Sequence, residues 1–274
     1  LSTIITGASG RLGRLIIQEL LHHVQPDQIV ACVRQMDSAA ALEEQGIAVR
    51  FCDYDDPASL KKAFAGASRL LFISSPHPDD TVRLRQHAHV VEAAKKANVS
   101  HILYTGFAFP EHSDMSMTHL HLATEHAIRT TGIPYTFLRS GLYMDFIEAL
   151  DLQAAMSTGN LRVHPGSWQF NAVTRTDLAA AIAGVLSGEG HSNKTYELVA
   201  PSVWTFNDLV SALSELTGTP ISLCPTNEVQ HWIFSFLRKI DTASTSGDLE
   251  NLICRPVTAL KESLQTYIGA SRSN

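Results

Sequence analysis

The chain has 274 residues, 45% of them hydrophobic, with 21 basic against 27 acidic side chains and a formal net charge of −6. That length suffices for one large α/β domain, or for a nucleotide-binding domain with a small second lobe, and its core needs no disulfide or structural metal. The negative balance argues against nonspecific nucleic-acid binding, which neutralises phosphates with a basic surface.

A short β-branched strand is expected at 2–6 and a helix at 12–22. A second strand at 28–33 precedes an Ala/Leu/Glu helix at 38–45. A third at 47–52 precedes a helix at 59–65, with Pro57 in a favoured helix-opening position. A continuously apolar strand at 70–74, a long helix at 79–98 and a fifth strand at 101–104 follow. A helix near 116–130 then leads to a strand at 135–138. Apolar strands separated by helices read as a parallel sheet covered on both faces.

Beyond residue 140 the pattern loosens. A helix-like stretch gives way to a Gly/Asn/Pro-rich passage up to 170, suited to a loop over a pocket. An Ala-rich helix at 174–186, a strand at 195–198, a helix at 206–216 and a Ser/Thr-rich tail around 242–246 complete the chain. The expected architecture is α/β, a Rossmann-type doubly wound parallel sheet with a smaller C-terminal substrate lobe. Residues 1–142 with 165–200 are expected to form the dinucleotide-binding domain, and 143–164 with 201–274 the substrate lobe.

Cys32, Cys52, Cys224 and Cys254 form no CxxC pair and no framework spacing. The first two fall in strand-like runs, where a reduced thiol acts as a small hydrophobe. With no leader-like run and no approach to the roughly 20 apolar residues of a membrane span, a cytoplasmic setting is the default expectation.

The most informative residues are Thr6-Gly7-Ala8-Ser9-Gly10-Arg11-Leu12-Gly13, a GxxGxxG between the first strand and the first helix. In such a loop Gly7 permits the tight turn, Gly10 lets backbone approach a pyrophosphate, and Gly13 allows close helix packing. Free N–H groups at the helix start, together with Ser9, Arg11 and Leu12 around them, then face the phosphates of a dinucleotide. No Walker A Lys-Ser/Thr follows, which excludes a P-loop nucleotidase. A free ribose 2′-OH is usually held by an acid ending the second strand, whereas here that strand ends in Arg34. A guanidinium there suits a 2′-phosphate, so the expected cofactor is NADP(H).

These residues, with the runs 46–54 (GIAVRFCDY), 65–75 (AGASRLLFISS), 101–106 (HILYTG), 121–146 (HLATEHAIRTTGIPYTFLRSGLYMDF), 174–185 and 194–206, carry a family likeness over most of the chain. It resembles the atypical short-chain dehydrogenase/reductase superfamily in its NmrA-like branch, and there the bacterial triphenylmethane reductases and type-two NADPH:quinone oxidoreductases. The resemblance implies Asp53 near the adenine, Ser74 and Ser75 along the central ribose and phosphates, and Thr105 and Gly106 beside the nicotinamide. It also implies a chain shortened between Gln230 and His231, where relatives carry a longer helical segment over the pocket.

Alcohol and sugar dehydrogenases of this superfamily use a helical Tyr-x-x-x-Lys couple. Aligned on Glu125, the lysine position holds His121 and the tyrosine position Met117. The missing phenol disfavours a sugar-nucleotide epimerase or dehydratase. His121 stays open as a proton donor or as a residue that positions the nicotinamide ribose. Tyr143 is the second candidate at the reacting centre, and Phe107, Phe146 and Trp168 are expected to join it as an aromatic wall for a flat substrate. The pairs His87/His89 and His119/His121 are two apart and face different ways on a helix, so no metal site is expected.

The expected activity is NADPH-dependent transfer of hydride directly to flat electrophilic aromatics (triarylmethane dyes, quinones, azo compounds), without flavin or metal. The alternative is a noncatalytic NADP(H)-sensing regulator. A small aromatic substrate is the expected partner, with nucleic acid and membrane excluded and a homodimer left open.

Overall fold

The computed structural model describes residues 2–271. Its first half alternates β1 (Thr3–Ile5), α1 (Arg11–Leu20), β2 (Ile29–Val33), α2 (Ala40–Glu43), β3 (Ala48–Phe51), α3 (Pro57–Ala63), β4 (Arg69–Ile73), α4 (Asp80–Lys96), β5 (His101–Phe107), α5 (Ser116–Thr130) and β6 (Tyr135–Ser140). After a 3-10 segment at Met144–Leu150 come α6 (Leu152–Thr158), β7 (Asn160–Val163), α7 (Arg175–Ser187), β8 (Lys194–Leu198), α8 (Phe206–Thr217) and β9 (Ser222–Pro225). Three helices close the described chain: α9 (Trp232–Leu237), α10 (Asp248–Ile253) and α11 (Leu260–Ser271).

Seven strands form one sheet in the order β3-β2-β1-β4-β5-β6-β8, with every neighbouring pair parallel. Side chains alternate across a strand, so Ile4 and Ile5 enter different cores. On one face Ile4, Leu70 and Tyr104 pack with Phe64, Val90 and Ile128 of α3, α4, α5 and their ends. On the other Ile5, Leu71 and Leu103 pack with Ile16 of α1 and Leu178 and Ile182 of α7. Side-chain caps set several helix starts: Asp79 accepts the N–H groups of Thr81 and Val82 before α4, and Thr174 accepts that of Asp177 in α7.

A third core belongs to the second lobe, where Phe146, Phe170, Trp204, Phe206, Leu213 and Phe234 meet. The short parallel pair β7–β9 lies over it. The expected loop up to residue 170 is therefore largely structured, with Asp151 capping α6 through the N–H of Ala154. Leu249 of α10 packs in the α1/α7 core, so this helix sides with the sheet although residues 201–274 were expected in the lobe. Conversely Phe170 and Ala172 join the lobe core. Strands β5 and β6 outrun their expected ends because Gly106 and Phe107 still pair with Arg139 and Ser140. The order reverses between β1 and β4, which opens a crevice at their carboxyl ends, where ligands bind in such folds.

Candidate dinucleotide and substrate site

A pocket of about 490 Å³ occupies that crevice. Its floor is the glycine-rich turn. Gly7 sits at φ 62°, a left-handed conformation that side chains resist. A Cβ on Gly13 would collide with the Gly7 carbonyl oxygen and lie 2.9 Å from Ala8 Cα. Helix α1 opens on Gly10 with no side-chain cap, leaving its first N–H groups to a ligand. A cradle that fits a diphosphate is what these features make, with Ser9, Arg11 and Leu12 also lining it.

At one end of the pocket, Arg34 is exposed and has no carboxylate partner among the described residues. That free guanidinium fits a 2′-phosphate. Asp53 lines the same end while its carboxylate accepts the Asp55 N–H, so it also closes its own turn. Tyr54, which the sequence reading missed, spans the wall: its hydroxyl donates to the Ile73 carbonyl at 2.7 Å and lies 2.6 Å from Thr6 Oγ1. Cys32 and Cys52 complete the wall, and the Cys32 side chain beside it, followed by burial, pushes the Cys52 thiol up. The Cys52 thiol therefore stays protonated and weakly nucleophilic.

Toward the other end, Thr105 and Ser74 meet: the Ser74 N–H donates to Thr105 Oγ1 at 3.0 Å. Ser75 lines the pocket too, with its polar atoms engaged by Gln86, another lining residue, and by His87. Its N–H donates to His87 Nε2 and its hydroxyl to Gln86 Oε1. Gly106 does not line the pocket. It backs onto buried Arg139, which pairs with Glu125, Glu197 and Glu111, and a Cβ there would sit 3.4 Å from both Arg139 Cγ and Glu125 Oε1.

Tyr143 lines the pocket from the second lobe's side. Burial pushes its phenol up, and the Arg175 guanidinium stacks on its ring, 4.2 Å from the centroid. Arg175 lines the pocket as well, a second residue that the sequence reading missed. It shares Asp145 with Arg11, at 3.0 and 3.2 Å, so an ion-pair bridge links the phosphate loop to the second lobe.

His121 is not part of the lining. It is 4% exposed, beneath the sheet's carboxyl edge. Its Nδ1 lies 2.7 Å from Tyr104 Oη and its Nε2 lies 3.4 Å from Arg83 Nη2. Burial, then the Arg83 charge, lowers its pKa to about 3. Its burial outside the pocket lining favours the positioning role over proton donation at neutral pH. Met117 has no phenol to offer, and Tyr104, the phenol nearest His121, is itself fully buried and pushed up by that burial.

Phe107, Phe146 and Trp168, the expected aromatic wall, do not line the dinucleotide pocket. Phe146 is enclosed by Phe170 and Trp204, with ring centroids 4.9 and 5.7 Å away. Trp168 stacks on Phe170 and donates its indole N–H to the His164 carbonyl. Phe146 lies in the lobe core, Trp168 packs half-buried against it, and neither lines the dinucleotide pocket. Phe107 is half-buried at the end of β5, its ring 6.4 Å from that of His121. Among the described residues no group of three or more His, Cys, Asp or Glu could hold a metal ion, and no helix is long and apolar enough to cross a membrane.

Comparison with known proteins gives one consistent picture. The model of the NmrA-like family matches residues 2–245. Quinone oxidoreductase 2 of Escherichia coli strain K12 is 35% identical over 278 aligned positions, covering 95% of this chain and 96% of that protein. The Citrobacter sp. triphenylmethane reductase complexed with NADP(H) superposes with a TM-score of 0.91 at 45% identity, over 97% of this chain and 99% of that one. The Escherichia coli NADPH-dependent quinone oxidoreductase complexed with NADPH gives 0.86 at 34% identity, over 97% and 99%.

Proposed function

This chain belongs to the NmrA-like family, and from that premise we propose that it is an NADPH-dependent reductase of flat electrophilic aromatics, quinones and triarylmethane dyes foremost. When bound, the cofactor supplies a hydride from its nicotinamide ring. The residues' own tasks are binding and orientation. The N–H groups at the start of α1 hold the diphosphate, Arg34 holds the 2′-phosphate, and Ser74 and Thr105 border the nicotinamide end. Tyr143, steadied by Arg175, covers that end and limits water there.

The observation that carries this reading is that His121 and Tyr104 are buried outside the pocket lining, which holds no histidine among the described residues. Tyr143 and Tyr104 are pushed up, and His121 down to about 3. A site of this kind suits acceptors that need hydride alone. A triarylmethane cation takes hydride at its central carbon without a proton, and a quinone takes its protons from water. Rate then comes from holding the acceptor flat against the nicotinamide. The experiment is NADPH consumption by the flavin-free protein with a panel of dyes, quinones and azo compounds. Turnover with dye and quinone is expected, with NADPH favoured over NADH. Tight NADPH binding without turnover across the panel would replace this reading with a dinucleotide sensor.

A further inference from the structure

A second pocket, of about 340 Å³, lies in the lobe between the end of β7 and helix α9, and none of its lining residues belongs to the dinucleotide pocket. Its floor is Phe234, which is buried, and its rim carries Trp232, 66% exposed. His164, His231, Arg238 and Lys239 line it, and no carboxylate does. The nearest acids in sequence are engaged elsewhere, Glu228 with Arg162 and Asp241 with His112.

Arg238 is held in place without an acidic partner. Its Nη2 lies 2.9 Å from His164 Nδ1 and donates to the Pro165 carbonyl at 3.1 Å, and its guanidinium lies 5.5 Å from the Trp168 ring centroid. His164 Nδ1 also lies 3.0 Å from the Pro165 carbonyl, so it accepts from Arg238 in one tautomer and donates to that carbonyl in the other. Lys239, exposed, has no carboxylate partner among the described residues either. Two uncompensated cations beside an aromatic floor and an exposed indole are complementary to one kind of small molecule.

We propose that this pocket binds an aromatic ring bearing a sulfonate or carboxylate, with Arg238 and Lys239 on the anion and Trp232 and Phe234 on the ring. The volume suits one or two fused rings, at the small end of ligand pockets. The site is separate from the reacting centre, so it is occupied independently of NADPH.

The test is calorimetric titration of the NADPH-saturated protein with naphthalene-2-sulfonate and with its neutral analogue naphthalene-2-methanol. Binding of the sulfonate is expected, with the neutral analogue at least tenfold weaker. Arg238→Gln should weaken the sulfonate by roughly tenfold or more, the scale of one charged hydrogen bond. Lys239→Gln, which removes only an exposed cation, should weaken it less and restore the test if Arg238→Gln misfolds. NADPH affinity should be unchanged in both. No sulfonate binding at millimolar concentration, equal affinity for the two probes, or equal affinity in wild type and both variants would overturn the site.

Discussion

Tyr104 Oη lies 2.7 Å from Nδ1 of His121, and Arg83 Nη2 faces the other ring nitrogen at 3.4 Å. Arginine can only donate, so Nε2 accepts and the Nδ1–H points to the tyrosine. A parallel arrangement holds His87, which accepts the Ser75 N–H at Nε2 and donates from Nδ1 to Thr124 Oγ1. Both imidazoles are thus neutral fasteners between α4, α5 and the carboxyl ends of β4 and β5.

His121→Ala leaves the Tyr104 hydroxyl and Arg83 without their buried partner, at a cost of about 1–3 kcal/mol in stability. The loss in activity should be about tenfold or more and equal for a quinone and a triarylmethane dye, since a shifted β5 end misplaces the cofactor for both. Steady-state rates on the two substrates check this. A general acid would instead be revealed by a selective loss on quinone of roughly 10²–10⁴-fold.

Stability should fall on mild acidification. The folded-state pKa values of His87 and His121 are lowered to about 3 from 6.5, so above pH 6.5 both states are neutral. Below it the unfolded chain takes up protons that the fold refuses. Each histidine then removes up to about 1.4 kcal/mol per pH unit until pH approaches 3. Denaturant melts at pH 7 and pH 5 measure the slope, and His87→Gln should make it shallower. Equal stability at the two pH values would contradict the neutral assignment.

Gly10→Val should abolish dinucleotide binding while the protein remains folded. A Cβ there meets only the Gly7 carbonyl oxygen, at 3.2 Å, so the fold tolerates it with a small adjustment. The remaining methyl groups would occupy the space of the diphosphate. Fluorescence titration with NADPH, beside circular dichroism, decides the matter, and unchanged affinity would contradict the cradle.

How far the site could be read ahead follows from where its residues lie in the chain. Gly7, Gly10, Gly13 and Arg34 are legible because the constraint is local: a strand, a turn and a helix within one βαβ unit. Arg175 and Asp145 are not, because an ion pair to Arg11 across 134 positions leaves no trace in local pattern. Tyr54 carries no local signal of its own, and its place is seen only from its hydroxyl on the Ile73 carbonyl. The lobe-core packing of Phe146 and Trp168 is not legible ahead because aromatic identity reports burial without saying which core receives the ring. The burial of His121 was hidden for a similar reason, since its helix α5 has only a mild apolar face and the partner Tyr104 comes from a strand.

Arg34→Ala should weaken NADPH by about 1.5–3 kcal/mol, the range for hydrogen bonds to charged groups, and leave NADH nearly untouched. Binding isotherms with both cofactors measure this. Equal losses would mean that Arg34 does not read the 2′-phosphate.

Direct hydride transfer is tested most directly by isotope. NADPH carrying deuterium at the transferring position of its dihydronicotinamide C4, supplied to the flavin-free protein with a triarylmethane dye, should yield colourless product with one deuterium at the central carbon. Mass spectrometry of that product reads the outcome. Product without label, formed while the labelled cofactor is consumed, would show that the hydrogen arrives through an exchanging carrier and would contradict the account.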